Sequence, residues 1–237
     1  MLINTRQRTS QEEIMDNFSL EGEELREALD KIAAINRWLG GNQVTLEGIR
    51  KLLKNHTHDS PIAVVDVGCG NGDMCRALAT LGRRKGINFK ILGIDANAFT
   101  IHHATHVSAT YPEISYAVMD VFSEEFANLS YDIALCTLTL HHFTDKEILH
   151  LMRLFTNKAK LGVVINDLHR SALAYHLFEL ICFVFRIKGM SRQDGLTSIL
   201  RGFKKQDLEY FSQRLQLKNY SINWKWAFRY QWIVKNI

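Results

Sequence analysis

The sequence is short of cysteine, with four in 237 residues. Cys69, Cys75, Cys136 and Cys182 stand in apolar or turn contexts, without the close pairing that a zinc site or a disulfide framework uses. They read as reduced thiols of a cytosolic protein. A charge excess is lacking too: the formal net charge is +4 and the basic residues are dispersed rather than gathered into a stripe. That argues against a nucleic-acid partner. Nor is there a long hydrophobic run. The most apolar stretch, residues 172–185, is interrupted by His176 and Glu179 and is too short to span a bilayer. Residues 1–10 lack the apolar segment of a secretory leader. The expectation is a cytoplasmic protein without a membrane span, a monomer or homodimer, whose partner is a small molecule.

What is present centres on one stretch, Val64-Val65-Asp66-Val67-Gly68-Cys69-Gly70-Asn71-Gly72-Asp73. Residues 62–67 are rich in β-branched side chains, long enough for a buried strand and too short for a helix. Three glycines follow at alternate positions, and helical spacing resumes at Met74. Strand, tight turn and helix make the first half of an open α/β sheet, where ligands sit at the carboxyl ends of strands. Glycine allows close backbone approach and positive φ. The spacing is G-x-G-x-G, whereas a dinucleotide loop reads G-x-G-x-x-G and leaves its helix N-terminus free for a pyrophosphate. Asp73 at the helix start repels phosphate and suits an ammonium group, and Asp66 adds a second negative charge. S-Adenosylmethionine, with an α-ammonium, a sulfonium and no phosphate, matches those charges.

The D-x-G-x-G-x-G stretch resembles motif I of the class I S-adenosylmethionine-dependent methyltransferases. The resemblance runs from about residue 62 to 167, and weakly from 204 to the C-terminus. It implies an α/β, doubly wound, Rossmann-like seven-stranded sheet with an antiparallel last strand, and S-adenosyl-L-methionine as cofactor. Asp95 ends the second predicted strand roughly twenty residues past the glycines, where an acidic residue accepts ribose hydroxyls; otherwise it caps the next helix. By resemblance Asp95 binds both ribose hydroxyls, with Ala96 beside it. Asp120 likewise meets the adenine amino group, while the Val121 N–H meets a ring nitrogen. An ionised carboxylate is a strong acceptor for such an amine, and a helix cap is again the alternative. Gly68, Cys69, Gly70 and Thr137 complete the expected cofactor set with Asp66 and Asp73.

Residues 1–58 read as an N-terminal helical cap before a methyltransferase domain at 59–237. An amphipathic helix over 21–39 carries Leu25, Leu29, Ile32, Ile35 and Leu39 on one face, and Gly40-Gly41 ends it. Thr45 is placed to cap a second helix over 46–54, followed by a polar linker. The cap either packs on the sheet edge or covers the cofactor with Asn36, Arg37 and Trp38. Strands are expected at 89–94, 115–119, 131–137 and 160–166, then a closing hairpin at 218–224 and 226–234. A helical insertion at 171–202, an apolar helix followed by a basic turn over 187–195, is placed to cover the substrate. His102 and His106 lie one helical turn apart, but no carboxylate or cysteine nearby completes a metal site. They read as a solvated face, and no metal is expected.

Methyl transfer from a sulfonium is an in-line displacement that mainly requires alignment and exclusion of water. A general base matters only where the acceptor must lose a proton. His142, His169 and His141 are the candidates, with Asp167 to orient one of them. The apolar insertion with Tyr175, Phe178 and Phe183 points to an O or C atom of a small, mostly apolar acceptor, of phenol, enol or quinol type. No Asn/Asp-Pro-Pro-Tyr/Phe sequence follows the fourth strand, which argues against amino-methylation of DNA or glutamine, and no Pro-Cys nucleophile is present for C5-cytosine methylation. A nicotinamide-dependent oxidoreductase would share the fold and the ribose-binding acid, against the glycine spacing and Asp73. A non-catalytic S-adenosylmethionine-binding protein is the other alternative.

Overall fold

The computed structural model describes residues 3–54 and 60–236. Most of the expected polar linker therefore lies outside the described residues. A single 3-10 turn at Ile14–Asp16 precedes helices α1 (Glu23–Trp38) and α2 (Gly41–Leu52). Alternation begins with β1 (Ile62–Val67), α3 (Asp73–Lys85), β2 (Phe89–Asp95), α4 (Ala98–Val107), β3 (Ile114–Val118) and the short α5 (Glu124–Ala127). It continues through β4 (Ile133–Thr137), α6 (Asp145–Lys158) and β5 (Gly162–Leu168). Two helices, α7 (Ala172–Val184) and α8 (Met190–Arg201), interrupt it before α9 (Lys205–Arg214), β6 (Tyr220–Lys225) and β7 (Arg229–Lys235). The sheet runs β3-β2-β1-β4-β5-β7-β6. β7 lies antiparallel between β5 and β6, and the other pairings are parallel. This is the seven-stranded Rossmann-like architecture expected. No helix among the described residues is long and apolar enough to cross a membrane.

The central strands are apolar on both faces, as a sheet covered by helices on both sides requires. In β1, Ile62 and Val64 pack with α2 and α3 through Ile49, Leu52, Leu78 and Cys75. Val65 and Val67 face the other layer, with Phe126, Met152, Phe155, Phe211 and Trp232. Two local expectations are corrected. The second helix starts at Gly41, because Gly40 adopts a left-handed conformation (φ 74°) that turns the chain straight into it. Thr45 is thus an interior, fully buried residue whose hydroxyl lies 3.0 Å from that of Thr137. The expected basic turn at 187–195 is largely the first half of α8. Asp95 and Asp120 are not helix caps either; Asn97 and Ser123 cap α4 and α5.

Two carboxyls are buried within the sheet, Asp66 of β1 and Asp167 of β5, and only Asp66 has its pKa raised. Asp66 is 1% exposed and accepts a hydrogen bond from the Cys75 thiol at 3.3 Å. Burial raises its pKa to about 7. Between pH 4 and 7, roughly, the unfolded chain ionises this carboxyl while the folded chain retains the proton, so its contribution to stability falls as pH rises through that window. Asp66→Asn is therefore expected to gain stability over the parent at pH 8, by up to about 4 kcal/mol. The gain should vanish toward pH 4. Thermal unfolding at a series of pH values checks this, and a pH-independent difference would contradict it.

Candidate active site

β1 and β4 are neighbours, and the chain's crossovers diverge to either side of them. That switch point is where ligands bind in open α/β sheets. A cavity of about 1120 Å³ opens there over the strand ends. Its floor is the glycine turn. Gly68, Gly70 and Gly72 all have positive φ (67°, 53° and 77°). A Cβ at Gly68 would lie 2.3 Å from Thr139 Cγ2, and one at Gly72 would lie 2.0 Å from the Tyr116 hydroxyl. Only glycine fits at those two positions. Asp66, Gly68, Cys69, Gly70, Asp73, Asp95, Ala96, Asp120, Val121 and Thr137 all line this one cavity, together with His141, His142 and His169.

The charges differ from those the sequence led us to expect. Asp73 is not a free negative charge: it pairs with Arg37 and accepts from Asn42 Nδ2 at 2.6 Å. Asp66 is largely shielded from solvent, and its charge is only partly present at neutral pH. The Asp95 carboxylate accepts from the Gly70 and Asn97 amides at 3.2 and 3.0 Å. Its pKa is raised because burial outweighs those hydrogen bonds. Asp120 remains exposed and accepts from the Phe122 amide at 2.9 Å. Asn36 and Trp38 line the cavity, while Arg37 reaches it through Asp73.

The histidines occupy three different environments. His141 is 2% exposed. Its Nδ1 lies 2.7 Å from Asp167 Oδ1, and its backbone N–H donates to Asp167 Oδ2 at 3.1 Å. Nε2 lies 3.4 Å from Glu13 Oε1. Burial alone would lower its pKa, but Asp167 and Glu13 outweigh that and raise it to about 9. At neutral pH His141 is thus an imidazolium, which makes it a poor general base. His142 is partly exposed and stacks on His141, with ring centroids 4.3 Å apart. Its Nδ1 lies 2.6 Å from Asp16 Oδ1. His142 and Arg201 hold Asp16 well below the usual carboxylate range in spite of burial. His169 is half-buried; its Nδ1 accepts from the Trp224 indole at 3.3 Å, and burial lowers its pKa. Asp167 does not reach the cavity and sits behind His141.

Several residues here gave no signal in the sequence. The segment before α1 crosses the histidine loop and is fastened to it and to α8. Arg8 donates to the His141 and Phe143 carbonyls, each at 2.8 Å. Asp194 accepts from the Ile14 and Met15 amides at 2.8 and 3.0 Å. Ser198 donates to Glu13 Oε2 at 2.8 Å, and Arg201 binds Asp16 and the His141 and His142 carbonyls. Arg229, at the start of β7, is 3% exposed, and its Nε and Nη1 have no hydrogen-bond partner among the described residues. Burial pulls its pKa to about 10, with Asp167 opposing. Leu177, Phe178 and Ile181 of α7, with Phe122, Phe143 and Trp226, give the rest of the cavity an apolar wall.

Residues 64–162 match the family profile described as a methyltransferase domain. Among curated proteins, the ubiquinone biosynthesis O-methyltransferase of Rickettsia typhi is 28% identical over 142 residues, 59% of this chain and 54% of that protein. The chain thus spans about half the length of that relative. Among solved structures, the plantazolicin methyltransferase BpumL in complex with SAH superposes with a TM-score of 0.64 at 14% identity, covering 89% of this chain and 90% of that one. Magnesium protoporphyrin IX methyltransferase from Synechocystis PCC 6803 gives 0.52 at 17% identity, covering 83% of each. With its sheet order, its glycine turn at the switch point and the match over residues 64–162, the chain carries a methyltransferase domain on the seven-stranded Rossmann-like fold.

Proposed function

We propose that the chain transfers a methyl group from S-adenosyl-L-methionine to an oxygen or carbon atom of a small, mostly apolar acceptor of phenol, enol or quinol type. The observation that carries this is the continuity of the cavity. One space of about 1120 Å³ joins the glycine turn, Asp95 and Asp120 to the apolar wall of α7. That exceeds the usual volume of a single small-ligand pocket, roughly 300–1,000 Å³, and leaves room for an acceptor beside a cofactor. In this reading Asp95 accepts from the ribose hydroxyls, Asp120 and the Val121 amide hold the adenine, and the turn from Gly68 to Gly70 passes under the methionine portion. Residues 3–54 act as a lid, and 171–202 cover the acceptor.

His142 is the polar group of the histidine loop assigned to the acceptor, because His141 is already protonated and enclosed. His169 stands on the same side as the start of β7. Arg229 narrows the acceptor further. A buried guanidinium with two nitrogens lacking a hydrogen-bond partner among the described residues is costly, and a carboxylate on the acceptor's ring would satisfy it with charge-assisted hydrogen bonds.

Isothermal titration should show S-adenosylmethionine binding to the parent and binding about 10–100-fold weaker to Asp95→Ala, the loss of a charged hydrogen-bond acceptor. Equal affinity would put the ribose elsewhere, and tighter binding of NADH than of S-adenosylmethionine would favour an oxidoreductase. Incubation with a panel of phenols and quinols should release S-adenosylhomocysteine; none from any acceptor would leave a binding protein. His142→Gln is expected to lower kcat by 10²–10⁴-fold, on the order of a lost proton-transfer group, with cofactor affinity unchanged. Full activity in that variant would remove His142 from the reaction. Hydroxybenzoates should be preferred over the matching phenols, and Arg229→Gln should erase the ratio of their kcat/KM values; a ratio that survives would exclude an acidic acceptor held by Arg229.

A further inference from the structure

Where the N-terminal segment crosses the histidine loop, two buried polar atoms have no hydrogen-bond partner among the described residues: Glu13 Oε1 and His141 Nε2. They lie 3.4 Å apart, and His142 Nδ1 lies 3.9 Å from the same Glu13 oxygen. All three ligand atoms fall within 4.8 Å of one another. Ligand atoms about 2.0–2.2 Å from a shared metal are separated by roughly 3–3.5 Å, so movement of less than about 1 Å would bring these three onto one centre.

Two of the three donors are oriented from behind. Asp167 takes the Nδ1 side of His141 at 2.7 Å, which leaves Nε2 as its ligating nitrogen. Ser198 takes Glu13 Oε2 at 2.8 Å, which leaves Oε1. A carboxylate behind a histidine is the usual support of a metal-binding imidazole. Asp16 Oδ1, 2.6 Å from His142 Nδ1, adds a further oxygen beside the cluster. The charge also fits. Glu13, Asp16 and Asp167 carry three negative charges against Arg201, which contacts Asp16 and lies 4.0 Å from Glu13; Arg8 has its own partner in Asp145. With neutral imidazoles these four groups carry an excess of two negative charges, one of which Arg229 offsets through Asp167, so a divalent cation meets a net negative site.

We infer that Glu13, His141 and His142 form a binding site for a first-row divalent transition-metal ion. Two imidazoles and one carboxylate suit zinc, cobalt, iron or manganese ions rather than calcium. All three residues line the cavity, so water or an acceptor hydroxyl would complete the coordination shell. The ion would then replace an imidazole as the group that makes an acceptor oxygen acidic. That role rests on the methyl-transfer reading, whereas binding of the ion does not.

The test uses the full chain, stripped with a chelator, dialysed and titrated with cobalt(II) chloride while visible absorption is followed. Uptake of one equivalent with d–d bands shifted by nitrogen ligation is expected. Glu13→Gln and His142→Gln should each weaken uptake by more than about 100-fold, and Asp167→Asn by about 10–100-fold. His142 is partly exposed, so its variant is the one expected to keep the fold; S-adenosylhomocysteine binding by titration calorimetry reports that independently. No stoichiometric uptake by the parent, or equal uptake in a folded His142→Gln, overturns the site. Cobalt uptake by a chain that binds no S-adenosyl compound would keep the site and refute the methyl-transfer reading; the reverse result would refute only the site.

Discussion

His141 is gripped by carboxylates from two distant parts of the chain, and the shape of the cavity follows from that grip. Asp167 arrives at the end of β5 and Glu13 from the segment before α1. Enclosing three such groups is costly unless each charge finds a partner, and removing one partner of a buried pair typically costs about 3–5 kcal/mol. Here the pairing spreads outward. Arg201 answers Asp16, and Arg8 and Arg201 bind the carbonyls of the loop that carries the histidines. The N-terminal segment, the loop after β4 and α8 are therefore held as one polar unit along one side of the cavity. The apolar residues of α7 form its facing wall.

How far this was legible depended on how far each interaction reaches along the chain. The strands, the glycine turn and the acidic residues at strand ends are local patterns of period and punctuation, and they could be read directly. Asp95 and Asp120 stand where the pattern put them, and the true caps, Asn97 and Ser123, lie two and three residues further on. Gly40-Gly41 was misread for a physical reason. A left-handed glycine ends one helix and, in the same step, aims the chain into the next, so α2 begins about five residues early and takes Thr45 inside.

The polar unit was illegible because its partners are far apart in sequence. Glu13 meets Ser198, Asp16 meets His142, and Arg37 meets Asp73. Residues 3–20 have no hydrophobic period that would announce a role, and a single glutamate among polar neighbours carries no signal. The two histidines could be seen; the charge on His141 could not. That is decided by Asp167 and Glu13 together, against the burial that would otherwise favour the neutral ring.

The pairing of Asp73 with Arg37 also changes why the turn should favour an adenosyl sulfonium over a pyrophosphate. A phosphate-binding turn works by leaving backbone N–H groups free at a helix N-terminus. Here four of them are used within the protein. The Cys69 amide donates to the Ile94 carbonyl, Gly70 to Asp95, Gly72 to the Cys69 carbonyl and Asp73 to the Asn71 side chain. A pyrophosphate would have to displace these bonds while lying against the Asp73 carboxylate at the positive end of the α3 dipole. Net negative charge is therefore not what disfavours it. These four donors are already committed, and that holds even where Arg37 neutralises Asp73 and a proton neutralises Asp66. A ligand that asks for acceptors along this turn, as hydroxyl, amino and ammonium groups do, meets no such conflict.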